Sequence, residues 1–295
     1  MQEDQHALGP NWRICWVAAP DGTALRYGVY AQSENPKRYQ VFSTGRGEYI
    51  EKYGYLPGDL RLDPETAFLL WDHRGQGASG GMRFHVANYD QYVEDMAFLL
   101  QEIVGPRPYT MLAHSMGSLI VLRGLLEGRI SPQRVFLSAP LLGFRAPAMT
   151  QWIIRHFLSL AKYLSWETNR WAPYGWKQLA FEGNPFTHSP ERFSVFLQTP
   201  YPSEAMTLGW ISATQQAMQQ VFQSHALSQL STPIHLLLAG EDQVVENTES
   251  LRWFDLATQH AACKPTMEWV QGARHELFFE GPPYYDQVVA AVGSW

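Results

Sequence analysis

Short apolar runs alternate along the chain with longer stretches whose apolar positions fall on one face of a helix. The short runs predict β-strands over Arg13–Ala18, Ala24–Tyr30, Tyr39–Ser43, Ala67–Trp71, Tyr109–Ala113, Val135–Ser138, Ile234–Leu238 and Met267–Val270. The longer stretches predict helices over Tyr89–Ile103, Met116–Leu126, Thr248–Gln259 and Tyr284–Val292. Strands that alternate with helices in this way build a mostly parallel central sheet with helices on both faces, an α/β fold. The first strands have no helix between them, and Pro20-Asp21-Gly22 reads as a turn. They predict an antiparallel edge.

The alternation breaks between Gly143 and Ser228. That stretch reads as helical and carries Trp152, Trp166, Trp171, Trp176 and Trp210. It predicts a helical cap over residues 144–228, inserted into a core made of 1–143 and 229–295. From Gly128 to Trp166 there is no Asp or Glu, but there are Arg129, Arg134, Arg145, Arg155 and Lys162. Gln151, Arg155, Ser159 and Lys162 recur at helical spacing opposite Met149, Ile153, Phe157, Leu160 and Leu164. This basic face reads either as a solvated surface or as a contact for anionic lipid head groups.

Composition narrows the classes. The chain of 295 residues is 45% apolar and 17% charged, which suits a globular protein with a sizeable core. Eleven tryptophans point to an aromatic-lined cavity or surface in addition. A net charge of −6 lacks the basic footprint of a nucleic-acid binder, so no nucleic-acid partner is expected. Cys15 and Cys263 make no disulfide framework, and no Cys/His spacing resembles a metal site. Neither a metal nor an organic cofactor is expected. The opening Met1-Gln2-Glu3-Asp4-Gln5-His6 lacks the basic and apolar regions of a secretory leader. No apolar stretch reaches membrane-spanning length. The cytosol is the expected location, with peripheral contact to the inner membrane face through the cap.

Two serines compete as a nucleophile. The pattern G-x-S-x-G is perfect at Gly77-Ala78-Ser79-Gly80-Gly81 and imperfect at Ala113-His114-Ser115-Met116-Gly117. Ser79 lies in a long glycine-rich loop with no helix starting after it. Such a loop is poorly suited to holding a serine rigidly against a base. A strand delivers Ser115 and a helix departs from it, which is the layout of a nucleophile elbow. The helix start also offers a backbone N–H and a favourable dipole to an oxyanion.

A serine hydroxyl needs a base, and the base needs an orienting acid. His275 follows the final strand, in a loop able to reach the carboxyl edge of the sheet, where ligands bind in such folds. The acid should fall between serine and histidine in the chain. The loop after Val135–Ser138 contains no carboxylate, whereas Gly240-Glu241-Asp242 follows the next strand. Asp242 is the first choice, with Glu241 and Glu246 as fallbacks. The glycine-containing loop Thr44-Gly45-Arg46-Gly47-Glu48 can bring backbone close to a bound oxygen. The N–H groups of Arg46 and Met116 are the expected oxyanion hole.

These segments, together with Asp72-His73-Arg74-Gly75-Gln76-Gly77-Ala78-Ser79 and Ala273-Arg274-His275-Glu276-Leu277, resemble an α/β-hydrolase of the monoacylglycerol lipase and lysophospholipase branch. Asn184-Pro185-Phe186-Thr187-His188-Ser189 with Arg192 is similar to the cap of bacterial lysophospholipase-like members. The resemblance implies Ser115, Asp242 and His275 as the triad, and a cap over an acyl-binding pocket. Thr44 stands where lipase members carry histidine, and Arg46 takes a position that is usually small.

The expected activity is hydrolysis of carboxylic esters of single-chain acyl lipids. Lysophospholipid is favoured over monoacylglycerol or a general carboxylester. Trp152, Phe157, Arg145 and Arg155 are the candidate substrate contacts. An acyltransferase would use the same triad, and a non-catalytic lipid-binding protein is the remaining class.

Overall fold

The computed structural model describes residues 8–145, 166–171, 180–201 and 205–295. Eight strands form one sheet: β1 (Trp12–Ala18), β2 (Ala24–Tyr30), β3 (Arg38–Ser43), β4 (Thr66–Trp71), β5 (Tyr109–His114), β6 (Val135–Ser138), β9 (Ile234–Ala239) and β10 (Thr266–Val270). Their spatial order is β1-β2-β4-β3-β5-β6-β9-β10. β1 and β4 both pair antiparallel with β2, and the other neighbours pair parallel. β2 therefore runs against the other seven strands. The antiparallel edge and the parallel remainder agree with the sequence pattern.

Each central strand is buried on both faces because its alternate residues enter two different cores. Val41, Leu69, Met111, Ala113, Leu236 and Leu238 face one side. Phe42, Phe68, Leu70, Leu112, Leu237 and Ala239 face the other. Continuous apolar runs are what a doubly covered sheet requires. Helices α1 (Asp90–Leu99), α2 (Met116–Leu126), α4 (Leu208–Val221) and α5 (Asn247–His260) supply the first core. Helix α6 (Tyr284–Ser294) and the turns around Tyr53 and Phe278 supply the second. Past Leu99 the helix predicted to reach Ile103 widens into a π-helical turn over Leu100–Val104, and Gly105 ends it at φ 61°.

Between β6 and β9 the described residues carry α3 (Pro190–Leu197), α4 and a two-strand ribbon, β7 (Arg170–Trp171) with β8 (Met206–Thr207). Both helices start on hydroxyl caps. The Ser189 hydroxyl accepts from Arg192 N–H, with Pro190 at the first helical position, and the Thr207 hydroxyl accepts from Trp210 N–H. α4 packs against α2, so this segment leans on the helix that follows Ser115.

Among the described residues no helix is long and apolar enough to cross a membrane. Both cysteines are free thiols.

Candidate active site

β5 ends in a turn so tight that Ser115 adopts φ 50° and ψ −115°. That region is disfavoured for any residue with a Cβ and costs on the order of 1–3 kcal/mol. The turn is held by Ser115 N–H donating to the Ser138 carbonyl at 3.0 Å, and by the Ser115 carbonyl accepting from Leu141 N–H at 3.1 Å. Gly117 is required by space: a Cβ there would stand 2.2 Å from the Ser43 carbonyl oxygen and 2.5 Å from that of Thr44. Ala113, in the first glycine position of the pattern, is fully buried in the core and accommodated. The loop after β3 is thus pressed directly against the start of α2. Met116, the first residue of α2, has no intrahelical acceptor for its N–H.

Ser115, His275 and Asp242 are all buried and meet at the carboxyl edge of the sheet. His275 Nε2 lies 3.0 Å from Ser115 Oγ, and His275 Nδ1 lies 2.7 Å from Asp242 Oδ2. A carboxylate beside Nδ1 fixes the proton there, which leaves Nε2 to accept from the serine hydroxyl. The second Asp242 oxygen accepts from the N–H groups of Val244 at 2.8 Å and Val245 at 2.9 Å. Burial pushes the Asp242 carboxyl up, but the facing imidazole and these amides outweigh it and hold it below the usual range. Burial pushes His275 down, but Asp242, then Glu276 and Glu48, outweigh it and raise it above the ordinary value. His114 packs its ring 4.9 Å from that of His275. Burial pushes it to about 3, so it is neutral at physiological pH.

The fallback acids are elsewhere: Glu241 is exposed, and Glu246 caps α5 by accepting from Thr248 N–H. Ser79 is a fastener. Its hydroxyl donates to the Asp72 carbonyl at 2.6 Å and accepts from Arg26 N–H at 2.8 Å. The glycine-rich loop around it folds over the Asp72 carboxylate, which accepts from Ile50 N–H, Ala78 N–H and Arg26. A Cβ on Gly77 would sit 2.2 Å from that carboxylate carbon. The same loop steadies the loop after β3. Trp71 donates to His73 Nδ1 at 3.2 Å, so His73 Nε2–H faces the Thr44 carbonyl at 3.1 Å. The Gln76 side-chain oxygen accepts from Gly47 N–H.

Arg46 sends its guanidinium over the rings of Phe84 at 5.5 Å and Trp210 at 5.9 Å. Burial pushes it down to about 10, against the phenols of Tyr92 and Tyr89, so it stays cationic at neutral pH. Arg145 donates to the Asp242 carbonyl and so braces the loop that carries Asp242. Trp152, Phe157 and Arg155 lie outside the described residues. Among the described residues no group of three or more His, Cys, Asp or Glu side chains could hold a metal ion.

Residues 34–282 match the family model described as Serine aminopeptidase, S33. The chain belongs to this family. It is 30% identical over 279 residues to Lysophospholipase L2 of Escherichia coli K12, covering 88% of this chain and 80% of the relative. It is 26% identical over 270 residues to Probable lysophospholipase L2 of Haemophilus influenzae, covering 87% and 83%. A soluble variant of monoglyceride lipase from Saccharomyces cerevisiae, solved with a substrate analogue, superposes with a TM-score of 0.80 at 16% identity, over 100% of this chain and 98% of that one. A thermostable carboxyl esterase from Bacillus coagulans does so with 0.78 at 16% identity, over 97% and 98%. The α/β-hydrolase fold is the one expected from the sequence motifs.

Charged residues that the sequence reading passed over surround the site. The His275 loop is tied to residues 184–189: His275 N–H donates to the Pro185 carbonyl and Glu276 N–H to that of Phe186. Fully buried Glu280 accepts from Arg274 N–H, His188 N–H, His188 Nδ1 and the Thr187 hydroxyl. The Asn184 side-chain oxygen accepts from the N–H groups of Phe186 and Thr187. A signal was present in the sequence: Glu276 and Glu280 sit in an otherwise apolar run, His275-Glu276-Leu277-Phe278-Phe279-Glu280.

Proposed function

We propose that this chain is a serine hydrolase of carboxylic esters of single-chain acyl lipids, with lysophospholipid as the preferred substrate. The relay from Ser115 Oγ through His275 to Asp242 carries the reading. In it, His275 Nε2 takes the Ser115 proton as the hydroxyl attacks the ester carbonyl. Asp242 keeps Nδ1 protonated and stabilises the imidazolium. The N–H groups of Arg46 and Met116 receive the oxyanion, each worth about 3 kcal/mol in comparable sites. His275 then protonates the leaving alcohol, and water, activated by the same imidazole, releases the fatty acid.

The relatives named lysophospholipase support a lipid substrate. Arg46 supports an anionic one, because the residue whose N–H is a proposed oxyanion donor also carries a cationic guanidinium among Phe84, Tyr89, Tyr92 and Trp210. The family's description as an aminopeptidase offers a second reading, hydrolysis of an amide at a peptide N-terminus. A cationic Arg46 among those aromatic rings disfavours the substrate ammonium that reading needs. In the lipid reading residues 144–228 form a cap over the acyl chain, and its basic stretch meets the membrane surface.

The test is a panel of lysophosphatidylcholine, monoacylglycerol, p-nitrophenyl esters of rising chain length and aminoacyl p-nitroanilides. Wild type is run beside Ser115→Ala and Arg46→Gln. Long-chain esters lead, Ser115→Ala is inactive, and Arg46→Gln lowers kcat/KM for the phospholipid roughly tenfold more than for monoacylglycerol. An optimum at acetyl or butyryl, or equal losses on both lipids, refutes the substrate assignment. Product analysis with an added alcohol separates hydrolysis from acyl transfer.

A further inference from the structure

Behind the serine, histidine and aspartate lies a second set of charges, drawn from two loops far apart in sequence. The side chains of Glu48, Lys52 and Glu276 are 3%, 3% and 7% exposed. Lys52 Nζ donates to one Glu48 oxygen at 2.7 Å and also to Glu276. Its ammonium sits 4.4 Å from the centre of the Phe279 ring and 5.2 Å from that of Tyr53. Tyr53 donates its hydroxyl to the Glu48 oxygen that Lys52 holds. The other Glu48 oxygen accepts from Gly45 N–H, one residue before Arg46. Glu276 directly follows His275.

We propose that Lys52, with Glu48 and Glu276, is a positioning group that locks the loop carrying Arg46 N–H to the loop carrying His275. It also places a net negative charge near the imidazole. The proposal rests on reading Ser115, His275 and Asp242 as the triad. Acyl transfer needs two distances to hold at once: imidazole to serine, and backbone N–H to oxyanion. Sites of this kind tolerate errors of only about 0.5 Å. One ammonium bonded to both loops makes the two distances a single structural variable. Stability alone does not call for such a cluster, since well-packed apolar side chains often replace buried ion pairs at no loss.

The charge has a direction. Two carboxylates and one ammonium leave the cluster one negative charge. His275 faces Asp242 on its Nδ1 side, Ser115 on its Nε2 side, neutral His114 across its ring, and Glu48 and Glu276 with their shared Lys52. Glu276 and Glu48 both favour the imidazolium, which forms as the serine proton is transferred. Asp242 therefore has help from two acids that do not touch the ring.

The experiment measures kcat and KM on p-nitrophenyl butyrate from pH 5 to 9 for Lys52→Met, Lys52→Arg and Glu276→Gln, with Ser115→Ala as control. Lys52→Met keeps the stem and removes the ammonium. It lowers kcat by roughly 100-fold with KM within about threefold, as expected for a misplaced reacting group, and Lys52→Arg recovers most of the loss. Glu276→Gln keeps the shape, removes one negative charge and moves the acidic limb of kcat/KM to lower pH. Folded Lys52→Met and Glu276→Gln proteins with wild-type kcat and an unmoved acidic limb overturn the proposal. If Lys52→Met does not fold, the limb in Glu276→Gln decides alone. Retained activity in Ser115→Ala overturns the triad reading itself, whereas an inactive Ser115→Ala beside unchanged Lys52 and Glu276 variants overturns only the positioning role.

Discussion

Replacing Glu280 with Gln tests the buried clasp between the His275 loop and residues 184–189. The carboxylate is fully buried. One oxygen accepts from Arg274 N–H at 2.7 Å and His188 Nδ1 at 2.8 Å. The other accepts from His188 N–H at 2.6 Å, the Thr187 hydroxyl at 3.2 Å and Gly281 N–H at 3.3 Å. In the Glu280→Gln variant one of these oxygens becomes an NH2 group, which cannot accept. The histidine can change tautomer and the threonine hydroxyl can rotate, so neither is a fixed loss. A backbone N–H has no such freedom. Whichever way the amide turns, at least one backbone N–H faces a donor: Arg274 on one side, His188 and Gly281 on the other. A buried orphan donor costs about 1–3 kcal/mol, and the remaining bonds lose the strength a charged acceptor gave them. The total is about 2–4 kcal/mol, equivalent to a fall in melting temperature of roughly 4–8 °C for a domain of this size. Differential scanning fluorimetry at pH 8 measures it. A melting temperature within about 1 °C of wild type would refute the reasoning, because it would mean that the clasp is wet or rearranges freely.

Ser79→Ala loses two buried hydrogen bonds and about 1–2 kcal/mol of stability, yet keeps ester hydrolysis and fluorophosphonate labelling, while Ser115→Ala abolishes both; loss of labelling in Ser79→Ala contradicts this. Gly117→Ala drives a methyl into the Ser43 and Thr44 carbonyls, displacing the loop after β3. It lowers kcat by roughly 100-fold, whereas Ala113→Gly stays within about threefold; steady-state kinetics that reverse this order would count against the elbow geometry. The pH–rate profile should fall on the acid side, because only neutral His275 accepts the serine proton. Its raised pKa places that limb above the ordinary 6.5. A limb below 6.5 contradicts the assignment. For stability the sign is opposite: protonated His275 favours the folded chain, a contribution complete below 6.5 and lost as pH rises through the raised value. Asp242, held below 3.8, contributes above 3.8 and loses its contribution as pH falls.

The sequence by itself determined the sheet, and it singled out three side chains, Ser115, His275 and Asp242, that the structure brings within hydrogen-bond distance of one another. Eight apolar runs are eight strands within one residue at each end, and the central ones are continuous because a strand buried on both faces has no room for polar positions. The strand, turn and helix around Ser115 were legible because they are local features. Chain order and loop position then led to Asp242 and His275. The helix over Tyr89–Ile103 was read in place but not its π-helical end. Only the tertiary structure decided the fate of the charges. Sequence habit puts Glu48, Lys52, Glu276 and Glu280 at the surface, since such residues are rarely buried unpaired. Their partners come from other loops, Lys52 and Glu276 being 224 residues apart. Arg145 stood out by its acid-free neighbourhood, yet its guanidinium turns to the Asp242 carbonyl across 97 residues. Local pattern reports which side chains prefer to leave water. Where a buried charge finds its counter-charge depends on which loops the folded sheet brings together.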